Sequence, residues 1–257
     1  MIIPYAHGQS WLHRIDPLSK LVLILCIAIL ATRFQTSTEQ AVLLLFSMVT
    51  ARFAAGITWG GQWKALSFLV VFVLPLFIIT VFTAPGTTQL LEIGKLSITT
   101  EGMDMAGSVS LRMFTLFLTS YLYIKTTDPQ DLVGSLTQVL RIPYRFAFGI
   151  SMALTFLPLL QEEGRSISAA HHIRGGRQGK GLRGRWSWWT TLTSAVLYNS
   201  IRRVQQTAAA MESKGFGAYP DRTYLRPLMS VQKGRILAIL GILITSGLLW
   251  FTYNVNL

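Results

Sequence analysis

The sequence predicts an all-α integral membrane protein with five or six transmembrane helices and two long cytosolic helices. Three observations predict it. Of the 257 residues, 51% are hydrophobic and 13% charged, against roughly 25% charged in an ordinary soluble domain. Apolar runs recur along the chain at close to the length a spanning helix needs, about 20 residues. Threaded alternately across a bilayer, those runs leave nearly all of the 23 lysines and arginines on one side, the asymmetry that orients membrane proteins.

The first run extends from Leu18 to Phe34 and the second from Gln40 to Gly56. The third extends from Ala65 to Phe82, with Pro75 as an expected kink. The fourth covers Met105 to Ile124, and the last Ile236 to Tyr253. Leu18–Ala31 also has the look of a secretory signal, with Arg14 and Lys20 as its charges. The residues after it, Thr32-Arg33-Phe34, offer no small-x-small cleavage site and more runs follow, so it reads as a span. Lys125 to Arg235 differs in composition, being rich in Arg, Gly and Ser. Within it Phe146–Leu160 is apolar over 15 residues and interrupted by Pro158. It reads either as a short, tilted or re-entrant sixth span or as an interfacial helix. The expected organisation is a membrane domain over 1–125 with four spans, a cytoplasmic module over 126–235 and a C-terminal span over 236–257.

With the N-terminus inside, the outer connections hold Arg33 and Lys95, Arg112 lies within the fourth run, and the other twenty cations lie inside. The outer stretch Leu90 to Asp104 carries Glu92, Glu101 and Asp104 instead. This places 126–235 in the cytoplasm and Asn254–Leu257 outside a multi-pass cell (plasma) membrane. The net charge of +12 thus reads as cytoplasmic loops over a lipid bilayer, with no nucleic acid implied.

The cytoplasmic module reads as two helices. From Leu197, apolar residues recur at Ile201, Val204, Ala208 and Met211, the period of one helical face. That stripe packs either on the chain's own core or on a partner. A second helix is expected over Leu157–Arg174, and Gly175 to Arg185 as a flexible basic loop between the two. One helix ends His171-His172-Ile173-Arg174-Gly175 and the other Glu212-Ser213-Lys214-Gly215-Phe216-Gly217. In both, a cation in the last turn precedes glycine. A single instance is an ordinary charge–dipole pair with a glycine cap. Repeated on two cytosolic helices, it puts two cations where an acidic pocket on a partner can take them. Trp186, Trp188 and Trp189 read as anchors at the inner membrane surface. Arg112 is an intramembrane charge and so a functional candidate; it reads equally as pairing with Asp104 or Glu101 near the outer end, or as snorkelling to the interface.

Enzyme readings fail on spacing. Gly175-Gly176-Arg177-Gln178-Gly179-Lys180-Gly181 suggests a phosphate loop. The pattern requires glycine where Arg174 stands, and Ser or Thr where Gly181 stands. His171 and His172 are adjacent and point to different faces, unlike an i,i+4 metal pair. Glu162 and Glu163 are likewise neighbours. The single cysteine, Cys26, excludes an intrachain disulfide or a cysteine metal cluster. No catalytic residue, cofactor or metal site is therefore expected. A self-sufficient channel or secondary transporter is the rival reading. It calls for ionisable groups lining the spans and an inverted repeat, whereas Arg112 alone is deep and no repeat is visible.

The stretch Gly8-Gln9-Ser10-Trp11-Leu12-His13-Arg14-Ile15-Asp16-Pro17-Leu18-Ser19-Lys20-Leu21 resembles the N-terminal signature of the transmembrane T components of energy-coupling factor (ECF) transporters. Phe156-Leu157-Pro158-Leu159-Leu160-Gln161-Glu162-Glu163 resembles the segment before their first coupling helix. Ile173-Arg174-Gly175 and Ser213-Lys214-Gly215 fall where that family carries paired x-Arg-x motifs, and Ala210-Met211-Glu212 with Gly215-Phe216 matches the surroundings of the second. The likeness runs in one order over roughly residues 8 to 235. Lys214 departs from it, keeping the charge but losing the planar fork of donors. The resemblance implies a non-catalytic scaffold whose two coupling helices cross and dock their tips on two ABC-type ATPase subunits. It implies a separate small membrane protein, the S component, that binds a vitamin or metal ion and is toppled by ATP-driven motion. It assigns docking to Arg174, Lys214, Gly175 and Gly215, and helix packing to Leu197, Ile201, Val204, Ala208 and Met211.

Overall fold

A computed structural model describes residues 10–84, 86, 88–93, 96–174, 181–219 and 231–255. The chain divides into two compact units, Met1–Leu140 with Leu228–Leu257, and Arg141–Pro227.

In the first unit a 3-10 turn, Trp11–Arg14, leads into α1 (Pro17–Arg33), followed by α2 (Ser37–Phe53) and α3 (Trp59–Thr83). β1 (Gln89–Ile93) and β2 (Leu96–Thr99) form an antiparallel hairpin where a plain loop was expected. Then come α4 (Thr100–Thr126), the short α5 (Pro129–Gln138) and, after the second unit, α8 (Val231–Val255). The helices start earlier than hydropathy alone suggests because capping residues set the ends. Thr58 accepts a hydrogen bond from the Gly61 amide at 3.3 Å and starts α3. Thr99 accepts from the Gly102 amide at 3.1 Å and starts α4. Asp128, ahead of Pro129, accepts from the Gln130 amide at 2.9 Å and starts α5, an element the apolar runs do not show. α3 continues through Pro75.

This unit is inverted relative to a soluble protein. Gln40, Gln62, Ser47, Ser108, Ser110, Thr115 and Thr119 are buried, while Trp63, Phe68, Val71, Phe72, Leu243 and Trp250 are exposed. Small and hydroxyl-bearing residues at the helix contacts, with large apolar ones outside, are the pattern of a bundle whose solvent is lipid. The hydroxyls are satisfied mostly by carbonyls of the preceding turn, as with Thr115 to Leu111 at 2.9 Å and Thr119 to Thr115 at 3.0 Å. α8 meets α1 at glycines. A Cβ at Gly234 would sit 2.7 Å from Ser19 Oγ, and one at Gly241 would sit 2.6 Å from Leu23 Cδ2. Among the described residues, α3 and Val231–Thr252 of α8 are long and apolar enough to cross a membrane by themselves.

The second unit is a pair of long helices, α6 (Tyr144–Ile173) and α7 (Leu182–Ser213). α6 absorbs both Phe146–Leu160 and the helix expected from Leu157, running unbroken through Pro158 over 30 residues. α7 begins at Leu182, inside the expected basic loop, and covers 32 residues. Arg183 to Trp189 includes Gly184, a weak helix former, and the packing of Trp188 on His171 and His172 favours the extension.

Candidate functional site

α6 and α7 run antiparallel. Gly164 in α6 lies opposite Val196 in α7. Toward one end, Trp188 packs on the rings of His171 and His172 at 5.6 and 5.5 Å between centroids. Toward the other, Phe216, just past α7, packs on Phe148 at 4.7 Å and on Tyr144 at 6.2 Å. The two helix ends singled out in the sequence therefore lie at opposite ends of this hairpin. Measured from the Gly164–Val196 contact, Arg174 is ten residues along one way and Lys214 eighteen the other way. At 1.5 Å per residue they are roughly 40 Å apart.

Each end is built by local chemistry. Arg174 caps α6, with its amide donating to the Ala170 carbonyl at 3.1 Å, and its side chain is exposed beside the exposed Ile173. Gly175 lies outside the described residues. At the α7 end the chain forms a complete Schellman motif. The Phe216 amide donates to the Met211 carbonyl at 3.0 Å and the Gly215 amide to Glu212 at 3.0 Å. Closing that loop requires a left-handed residue, and Gly215 supplies it at φ +74°. Phe216 then carries the apolar contact that accompanies the motif and holds the tip of α7 on the start of α6. Lys214 is left exposed at the turn.

The stripe expected on α7 faces away from α6. Leu197, Ile201 and Val204 are 58, 50 and 52% exposed, Ala208 is also exposed, and only Met211 is half-buried. The face turned inward is Trp188, Leu192, Val196, Ser200 and Thr207. Continued toward the N-terminus, the outward stripe passes through Trp189, Trp186 and Leu182, all exposed.

The N-terminal signature also acquires a role that its apolar pattern did not reveal. Asp16 and Lys20, one helical turn apart, are 2 and 4% exposed. Asp16 Oδ1 accepts from Ser135 Oγ of α5 at 2.8 Å, and Lys20 Nζ donates to the Thr126 carbonyl at the end of α4 at 2.8 Å. Three helices are pinned at one end by two side chains of one turn. The visible signal was an acid–Pro start followed by lysine at i+4. Its partners, more than 100 residues away, were not visible. Arg112 donates to the Phe34 carbonyl at 2.8 Å, capping the end of α1, rather than to either expected carboxylate.

Among the described residues no cluster of three His, Cys, Asp or Glu residues is placed to hold a metal ion. Comparison with known proteins agrees with the arrangement. A family model described as CbiQ, cobalt transport protein, matches residues 8–225. The chain belongs to the CbiQ family. Curated relatives of this CbiQ-family chain carry the name energy-coupling factor transporter transmembrane protein EcfT. The one from Brevibacillus brevis is 29% identical over 255 residues, 96% of each chain. Those from Listeria innocua and Bacillus subtilis are each 27% identical, again over 96% of each chain. The family match and the names of these relatives mark the chain as a T component of the ECF type.

Proposed function

We propose that this chain is the membrane scaffold of an ECF-type importer, with α6 and α7 as its coupling helices. The observation that carries the reading is the pair of exposed cations, Arg174 and Lys214, at opposite ends of one antiparallel helix pair. A single partner pocket cannot engage both across roughly 40 Å; two copies of one kind of subunit, or two related ones, can. Each tip presents a cation at a helix C-terminus to a groove on an ABC-type ATPase subunit, where a charge-assisted hydrogen bond fixes it. ATP is hydrolysed in those partners, and the rigid helices carry the motion to the membrane.

The outward stripe of α7 is the surface for a small membrane S component that binds the vitamin or metal ion. α1, α2, α3, α4 and α8 are the five spans. α1 and α2, at 17 residues each, reach about 25 Å, close to the hydrocarbon thickness of about 30 Å. The signs of the loop charges put the N-terminus and the coupling helices in the cytoplasm. The test is affinity purification in mild detergent from the native cell, with mass spectrometry of the bound chains. Two ABC ATPase subunits and a small membrane protein are expected. A clean monomer or homo-oligomer under gentle conditions would overturn the reading.

A further inference from the structure

We propose that the ends of α1, α2 and α4 remote from the Asp16–Lys20 pin form a binding site for a phosphate–ammonium zwitterion, the headgroup of an ethanolamine phospholipid. An open cavity of about 700 Å³ lies there, lined by ten residues that include Thr32, Thr36, Glu101, Asp104, Ser108 and Arg112. Eight of these ten are polar, in a unit whose outer surface is otherwise apolar. Glu101, Asp104, Ser108 and Arg112 follow one another at offsets of three, four and four, a single face of α4.

Two residues that line this cavity carry buried polar atoms without hydrogen-bond partners among the described residues. Ser108 is 1% exposed, and its hydroxyl makes no hydrogen bond among the described residues. Arg112 is held in place by the Phe34 carbonyl, yet its Nε is buried without an acceptor. Leaving a buried donor unmade is costly, so both call for an acceptor-rich group between them. A phosphate supplies it. Arg112 offers a fixed cation and Ser108 a hydroxyl donor.

Higher on the same face, Asp104 uses Oδ1 to accept from the Ser37 amide at 3.1 Å and from the Ser37 hydroxyl. Its other oxygen makes no hydrogen bond among the described residues and is the one assigned to the ammonium group. Glu101, one turn beyond, adds negative charge at the mouth while its Oε2 accepts from the Thr88 and Thr100 hydroxyls. The carboxylates lie at the mouth and the guanidinium about two turns deeper, and the arginine side chain leans back toward the helix N-terminus, shortening the gap. In the leaflet that surrounds this end, a phospholipid has the same order, ammonium outward and phosphate inward. A choline headgroup has no N–H to give the carboxylates, and a glycerol headgroup has no cation. The inference rests on the membrane reading above.

The test is native mass spectrometry of the full chain in mild detergent, titrated with dioleoyl phosphatidylethanolamine, phosphatidylcholine and phosphatidylglycerol. The ethanolamine lipid should be retained at ~10-fold lower concentration than the other two, the worth of about one charge-assisted hydrogen bond. Asp104→Asn should abolish that preference, and Arg112→Gln, which removes the partner of the phosphate common to all three, should weaken retention of every lipid; the glutamine can still bond Phe34, and the asparagine can still cap α2. Equal retention of the three lipids by the unaltered chain, which needs no variant to fold, would overturn the site. So would a preference that survives Asp104→Asn, or retention of all three lipids unchanged by Arg112→Gln. Soluble phosphoethanolamine that displaces the lipid would assign the same chemistry to a free zwitterion; failure to displace it assigns the site to lipid. Retention of no lipid of any kind would overturn the site, whereas a chain that stays monodisperse in buffer without detergent would overturn the membrane reading.

Discussion

α4 and α7 are of similar length, 27 and 32 residues, and their side chains are distributed in opposite ways. α4 buries Ala106, Ser108, Ser110, Thr115, Leu118, Thr119 and Thr126, and its contacts lie within its own unit. α7 buries no residue, although its sequence carries an apolar stripe of helical period. In α4 the small, polar residues are inside, because helices surrounded by lipid gain nothing by hiding leucine and pack through close backbone approach. In α7 the large apolar residues stand outside, on the face away from α6. A stripe of period 3.6 states that one face avoids water. It does not state whether lipid, a neighbouring helix or another chain covers that face.

The comparison breaks most sharply at the tips of the second unit. Reversing both cations, Arg174→Glu with Lys214→Glu, should reduce uptake by about 100-fold, since a charge-paired contact costs 2–5 kcal/mol when one partner is lost. Either single change should be milder than the pair. Uptake assays with immunoblots for membrane insertion check this, and normal uptake by the double variant would remove the tips from docking.

On the α7 stripe, Ile201→Asp should release a co-purifying small membrane protein while leaving the melting temperature of this chain alone nearly unchanged, as expected for an exposed position (within about 0.5 kcal/mol). A large drop in melting temperature would show that the stripe is internal packing instead.

The first unit should respond the other way. Gly234→Leu forces a side chain against Ser19 and Asp16 and should cost about 1–3 kcal/mol of stability by overpacking, read as a lower melting temperature in detergent. Ser135→Ala, which removes the hydroxyl on Asp16, should cost about 1–3 kcal/mol by leaving a buried charge under-satisfied. The smallest effect is expected from Gly215→Ala. It strains the φ +74° turn by about 1–2 kcal/mol but leaves Lys214 in place, so fraying at the end of α7 in hydrogen exchange should exceed any change in uptake.

Much of this protein was legible in its residues. Composition and apolar run length determined a helical membrane chain, because lipid admits few alternatives to helices. The cation–glycine end of α7 was visible because capping is a local matter of a few residues, and Gly215 takes up the left-handed turn that its position implied; Gly175, at the other end, lies outside the described residues. The phosphate-loop and metal readings fell on spacing alone. Other features depended on contacts that no local pattern encodes. α6 runs through Pro158 as one helix where the sequence suggested two pieces, and α7 reaches back to Leu182, since helix–helix packing over Gly164–Val196 and Trp188 outweighs local breaks. Which face of α7 turns inward was decided by where α6 lies. The roles of Asp16 and Lys20 needed Ser135 and Thr126 brought beside them. Arg112 took a carbonyl of another helix in place of the carboxylates on its own. Local chemistry determined where helices begin, end and carry charge; distances across the chain, which only folding sets, decided what each of those groups meets.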